Sequence, residues 1–182
     1  MIVVASQGNR DSTQELHRHV LNALGNRVVS HTDITQKPLE LDLRFPLPSK
    51  VRLYVYNATV PPGGRATGEH KIQLIVPGQA RGQRGNFDHS DGRIPVLMGY
   101  QNEMDVFVLW DAALYEDFAY SRNVQVKAET IFEAFAGQIG RQSRHLGTHQ
   151  TEVVLTTRPD HLADVIIERY NIFLRRVAGD AE

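Results

Sequence analysis

The sequence contains no cysteine, which removes disulfides, thiolate metal sites and thiol nucleophiles together. The same absence suits a reducing compartment, and a cytoplasmic protein is expected. No apolar run approaches the ~18 residues of a membrane-spanning helix. The opening MIVVA lacks the basic leader and apolar length of a signal peptide, so no membrane partner is expected. An excess of charge is missing too: 20 Lys and Arg face 21 Asp and Glu, for a formal net charge of −1. A polyanion would therefore have to be met by a local patch rather than by the whole molecule. The GxSxG elbow, the P-loop, the dinucleotide fingerprint and HExxH are all lacking, and no cofactor or metal is expected. His17 and His19 form an H-x-H pair, but they fall in a helical pattern, where i and i+2 point apart.

What is present is an ordinary globular composition, 41% hydrophobic and 23% charged over 182 residues. Residues 1–182 read as a single domain, with a core over about 27–175 behind an N-terminal helix at 12–24. Ser12 and Glu15 give that helix a capping box, and Leu16, Val20, Ala23 and Leu24 give it an apolar face. His17 and His19 are expected on its solvated side. Leu39, Leu41 and Leu43 alternate, as do Val51, Leu53 and Val55, with Arg52, Tyr54 and Tyr56 on the opposite face. A turn-rich connector is expected at 60–68. Beyond it a strand at 70–76 places Ile72, Leu74 and Val76 on one side and Lys71, Gln73 and Ile75 on the other. Strands near 94–99 and 104–110 form an antiparallel hairpin about Gln101-Asn102-Glu103. A short strand at 123–127 runs into a helix at 128–139, with a core stripe of Ile131, Phe132, Phe135 and Ile139 and a stop at Gly140. The strand EVVLTT precedes a helix begun by Pro159, with Leu162, Ile166, Tyr170, Phe173 and Leu174 inward. Strands and helices do not alternate regularly, which argues against a doubly wound parallel sheet. The expected fold is α+β: a curved, mostly antiparallel sheet or open pseudobarrel with about three flanking helices.

Two segments carry recognition chemistry. The loop 78–93 holds Arg81, Arg84 and Arg93, with Gln79, Gln83, Asn86 and His89 between them and glycines that let a ligand approach the backbone. Guanidinium groups pair with phosphates or read guanine edges, and Asn or Gln matches adenine. Asp88 and Asp91 in the same loop are able to orient those arginines. In YSRNVQVK, inward Val124 and Val126 leave Asn123, Gln125 and Lys127 on one polar face, with Tyr120 and Arg122 at its edge. Lys71 and Gln73 complete the expected contact set. Trp110 is expected in the core, its sharper alternative being a platform for a splayed base. A competing reading is a PD-(D/E)xK-type metal-dependent endonuclease using Asp105 with Gln125 and Lys127. A variant of it pairs Asp42 with Glu69-His70-Lys71. A protein-interaction module is a third.

EHKIQLIVPGQARGQRGNFDHSDGR, IPVLMGYQNEMDVFVLWDA and YSRNVQVKAET, preceded by RLYVYNATVPPGGR, resemble the methylase-associated recognition domains of bacterial restriction–modification systems. The resemblance spans roughly 50–140 and extends to the B3-like pseudobarrel modules of restriction enzymes. It implies sequence- or methylation-specific binding of double-stranded DNA beside a separate nuclease or methyltransferase module. Arg81, Arg84, Asn86, Arg93, Arg122, Asn123, Gln125 and Lys127 are the positions to which it carries over.

Overall fold

The structure, a computed structural model, describes residues 10–60, 68–147 and 149–179. Of the connector expected at 60–68, residues 61–67 lie outside the described residues. The elements in chain order are α1 (Thr13–Leu24), β1 (Val28–His31), β2 (Leu39–Leu43), β3 (Lys50–Asn57), β4 (Glu69–Leu74), β5 (Arg84–Gly85), β6 (Ile94–Gln101) and β7 (Val106–Trp110). They continue with β8 (Phe118–Ala119), β9 (Arg122–Lys127), α2 (Ala128–Phe135), β10 (Gly140–His145), β11 (Thr151–Thr157) and α3 (Leu162–Ala178). Ser12 caps α1 through the expected box, accepting from the Glu15 N–H while Glu15 accepts from its own.

Seven strands form one sheet in the order β1-β2-β3-β6-β7-β11-β10. Its pairs are antiparallel except β3–β6, which is parallel, and the sheet does not close into a barrel. The expected hairpin at Gln101-Asn102-Glu103 is the β6–β7 pair. The crossover from β3 to β6 carries β4 and β5, and the excursion from β7 to β11 carries β8 and β9. The strands of the two excursions pair with each other, β4 with β9 and β5 with β8, and lie as a second layer over the sheet.

The central sheet is therefore buried on both faces. Val51, Leu53 and Val55 of β3 pack with Leu16, Val20 and Leu24 of α1 and Leu162, Val165 and Ile166 of α3. Tyr54 and Tyr56 pack with Ile72, Leu74, Val124, Val126, Trp110 and Ile131 on the other side. Burial on both faces explains why β6 and β7 read as continuous apolar runs.

Four local expectations are corrected. His17 is not solvated but fully buried, and its Nδ1–H donates to the Ile34 carbonyl at 2.7 Å. Burial pushes its pKa below the usual histidine range, so the ring is neutral. In α2 only Ile131 of the expected stripe is buried: Phe132 is 53% and Phe135 50% exposed, and Ile139 is exposed as well. Ala128, Thr130 and Ala134 face inward instead, and such small side chains let the helix lie close to β10 and β11. In α3 Leu162 and Ile166 are buried as expected, but Tyr170 and Phe173 are half-buried and Leu174 is exposed. Val165, Arg169 and Ile172 take the inward positions.

Gly140 does not end α2, which stops at Phe135, but opens β10. A Cβ there would lie 2.0 Å from Thr156 Oγ1 and 2.4 Å from the Thr130 carbonyl. Those two atoms are joined by a buried 2.6 Å hydrogen bond. Gly140→Ala is therefore expected to cost about 1–3 kcal/mol as overpacking, read as a lower denaturant midpoint at unchanged slope.

Candidate nucleic-acid interface

β4 and β9 form a two-stranded antiparallel ribbon with rungs Glu69–Lys127, His70–Val126, Lys71–Gln125, Ile72–Val124, Gln73–Asn123 and Leu74–Arg122. Period-two alternation sorts the rungs cleanly. His70, Ile72, Leu74, Val124 and Val126 are buried against the sheet, while Gln73, Asn123, Gln125 and Lys127 are exposed and Glu69 and Lys71 half-exposed. Trp110 anchors the ribbon from beneath: it is fully buried and its Nε1–H donates to the Gln125 carbonyl at 3.0 Å. It is a core residue, as expected, and does not offer a stacking platform.

The polar side chains on the outer face are uncommitted. Gln73, Asn123 and Gln125 form no side-chain hydrogen bond, and Lys71 and Lys127 form no ion pair, among the described residues. The loop amides are used differently. Gln79 accepts from the Val76 N–H and donates to the Phe118 and Gln83 carbonyls. Gln83 accepts from the Ala80 N–H. Asn86 clamps Asp117, donating to its carboxylate and accepting from its N–H, both at 2.9 Å.

The arginines of the loop divide in the same way. Arg81 is exposed with no partner among the described residues. Arg84 is the exposed residue of β5, opposite Ala119, and donates to the Asp117 carbonyl at 3.2 Å. Its neighbour Gly85 is held so close to Phe118 that a Cβ would come within 2.5 Å of the ring. Arg93 instead faces the main sheet, ion-paired with Asp42 at 2.9 Å and Glu40 at 3.4 Å, and donates to the Leu41 carbonyl. Tyr120 and Arg122 are half-buried at the ribbon's end, with the Arg122 guanidinium 5.0 Å from the centre of the Tyr115 ring.

Sequence reasoning missed what shapes the loop. The buried Arg52 bonds Glu40 at 2.8 Å, Asp91 at 3.0 Å and the Ser90 carbonyl at 2.7 Å, and lies 3.3 Å from Asp88. The loop acids thus orient Arg52 rather than the loop's own arginines. The available signal was a charged residue inside an otherwise apolar strand.

The carboxylates weighed for catalysis sit elsewhere. Asp105, in the β6–β7 turn, accepts from the Tyr100 hydroxyl at 2.7 Å and lies 3.9 Å from Arg158. Asp42 is held by Arg93 and Ser30 on β2, which does not neighbour β4. No group of three or more His, Asp or Glu side chains is arranged to hold a metal ion among the described residues. A cavity of about 100 Å³ lies against α3, walled in part by His89 and Arg93 of the loop and by Trp110, Ile166, Tyr170 and Phe173. Asp111 and Arg169 also line it.

Residues 49–166 match the family Methylase-associated X1. The chain belongs to this family. The match takes in β3 to β11 and the start of α3, and so contains the whole ribbon layer, while α1, β1 and β2 precede it. As a methylase-associated domain the chain fits a restriction–modification system. No curated protein matches it, and no solved structure does. Among the described residues no helix is long and apolar enough to cross a membrane.

Proposed function

We propose that this methylase-associated domain recognises double-stranded DNA, using the outer face of the β4–β9 ribbon and the adjoining Arg81–Arg84 turn. A nuclease or methyltransferase module of the same system supplies the chemistry. The observation that carries this reading is the set of unpaired donors on the ribbon's outer face, with the exposed Arg81 in the loop that follows β4. Among the described residues Lys71, Lys127 and Arg81 have no ion-pair partner and Gln73, Asn123 and Gln125 have no side-chain hydrogen bond, while the loop amides are satisfied internally. Cations held out in solvent beside acceptor–donor side chains suit a phosphate-flanked groove, where phosphate contacts position and amides read. The near-neutral total is no obstacle, because the potential at a groove is set locally.

The test is duplex binding across a salt series, followed by fluorescence anisotropy. Each phosphate contact contributes a slope of about −0.9 in log K against log salt. With Lys71, Lys127, Arg81 and Arg84 engaged, the slope should lie near −3 to −4. Lys71→Ala with Lys127→Ala should reduce its magnitude by about two and weaken all duplexes alike. Absence of duplex binding at low salt, or binding indifferent to salt, overturns the proposal.

A further inference from the structure

We infer that the β4–β9 ribbon enters the major groove and reads adenine through Gln73, Asn123 and Gln125, so that a methyl group on adenine N6 blocks it. The inference rests on the DNA-binding reading above and adds the groove, the base and the modification.

Size selects the groove. Two paired strands lie about 4.8 Å apart, and with side chains they match a major groove about 12 Å wide but not a minor groove of about 6 Å. The three outward rungs, Glu69–Lys127, Lys71–Gln125 and Gln73–Asn123, are each two residues apart along the strands. That spacing is about 6.7 Å, or roughly two base-pair steps of ~3.4 Å. The ribbon therefore faces about four base pairs, with lysines on two rungs and amides on two.

Side-chain chemistry selects the base. An amide offers one acceptor and one donor side by side, the complement of adenine's N6 amino group and N7. Gln73 and Asn123 face each other on one rung, and Gln125 lies on the next. None of the three is diverted to a partner among the described residues. Guanine is read by arginine or lysine; the lysines of these rungs, Lys71 and Lys127, are the phosphate contacts of the DNA-binding reading, and the Gln73–Asn123 rung carries amides alone. The arginine of this ribbon, Arg122, lies instead on the inward-facing Leu74 rung, over Tyr115. In a base pair one N6 hydrogen bonds thymine and the other points into the major groove. A methyl group on paired N6 must take that second position, where it removes the donor to the amide oxygen and fills its space. C5-methylcytosine changes neither adenine atom.

The experiment uses the full chain and a duplex pool randomised over a short core. Bound duplexes are selected, sequenced and resynthesised with N6-methyladenine or with C5-methylcytosine. Adenine at one or two core positions is expected, with a loss of about tenfold or more on N6 methylation and no comparable loss on C5 methylation. Gln73→Glu should move the preference at its position towards cytosine, because a carboxylate only accepts. Gln73→Ala with Asn123→Ala and Gln125→Ala should abolish the discrimination and keep salt-dependent binding. Both changes lie on exposed positions, and far-UV circular dichroism checks the fold. Salt-dependent binding without adenine preference, or equal or tighter binding to N6-methylated duplex, overturns this inference alone. No duplex binding at all overturns the parent reading with it.

Discussion

Asp111→Ala is expected to lower the unfolding free energy by about 3–5 kcal/mol, the cost of removing one partner from a buried ion pair. Asp111 sits just beyond β7, is almost wholly buried, and accepts from Arg169 Nη2 at 3.1 Å and from both Nη atoms of Arg176. It also accepts from the Ala113 N–H at 3.1 Å, which caps the turn that follows β7. Arg169 is itself buried and donates through Nη1 to the Val153 carbonyl of β11. One carboxylate thus ties the end of β7, the β11 backbone and α3 together. Without it Arg169 stays under the helix with no ion-pair partner, only the Val153 carbonyl and the field of Glu152 acting on it, whereas the half-exposed Arg176 is free to turn outward. The loss is read from denaturant unfolding. Asp111→Ala combined with Arg169→Met should recover part of it, since the stranded charge leaves with its partner. A loss below about 1 kcal/mol, the range of solvent-screened pairs, would show that water reaches the cluster.

Arg169 also marks where the sequence stops being readable. A stripe through Tyr170, Phe173 and Leu174 looks better on a helical wheel than one containing a charge. The buried Asp111, with the Val153 carbonyl, makes the arginine's inward position tenable. The α2 stripe failed for a related reason: periodicity names apolar residues but not closeness of approach, and Ala128, Thr130 and Ala134 decide which face turns inward. β10 went unread because GRQSRH has no apolar alternation, as befits a strand at the edge of the sheet. By contrast β2, β3, β6, β7 and β9 followed directly from alternation or from continuous apolar runs. The outward side of β9 was legible for that reason, as were Lys71 and Gln73 on β4. That Gln73 faces Asn123 was not legible, since register between distant strands is set by tertiary packing. Nor was the internal use of Arg93 and Asn86, whose partners lie about 50 and 31 residues away.

Glu152→Gln is expected to stabilise the protein by about 3 kcal/mol in mildly alkaline solution and to leave it nearly unchanged in acid. Glu152 of β11 has no exposed surface, and burial raises its pKa from 4.5 to about 7. The Tyr115 hydroxyl, 2.5 and 2.9 Å from its two oxygens, pulls the other way. So does Arg144, directly opposite on β10. Neither offsets the loss of water. The folded state therefore prefers the protonated acid. The stabilisation this preference gives is complete below the unfolded value of 4.5 and is lost as pH rises through about 7. At about 1.4 kcal/mol per pKa unit the gap amounts to roughly 3 kcal/mol. Glutamine presents one acceptor and one donor, as the protonated acid does, and cannot ionise. The depressed pKa values of Asp42 and Asp88 impose the opposite slope in acid, but they are common to both proteins and cancel in the difference. Paired denaturation series from acid to alkaline pH should give stability curves that coincide below the ordinary glutamate pKa, separate between about 4.5 and 7, and run parallel above. A difference independent of pH would mean that Glu152 keeps its ordinary pKa in the fold, with Tyr115 and Arg144 balancing its burial.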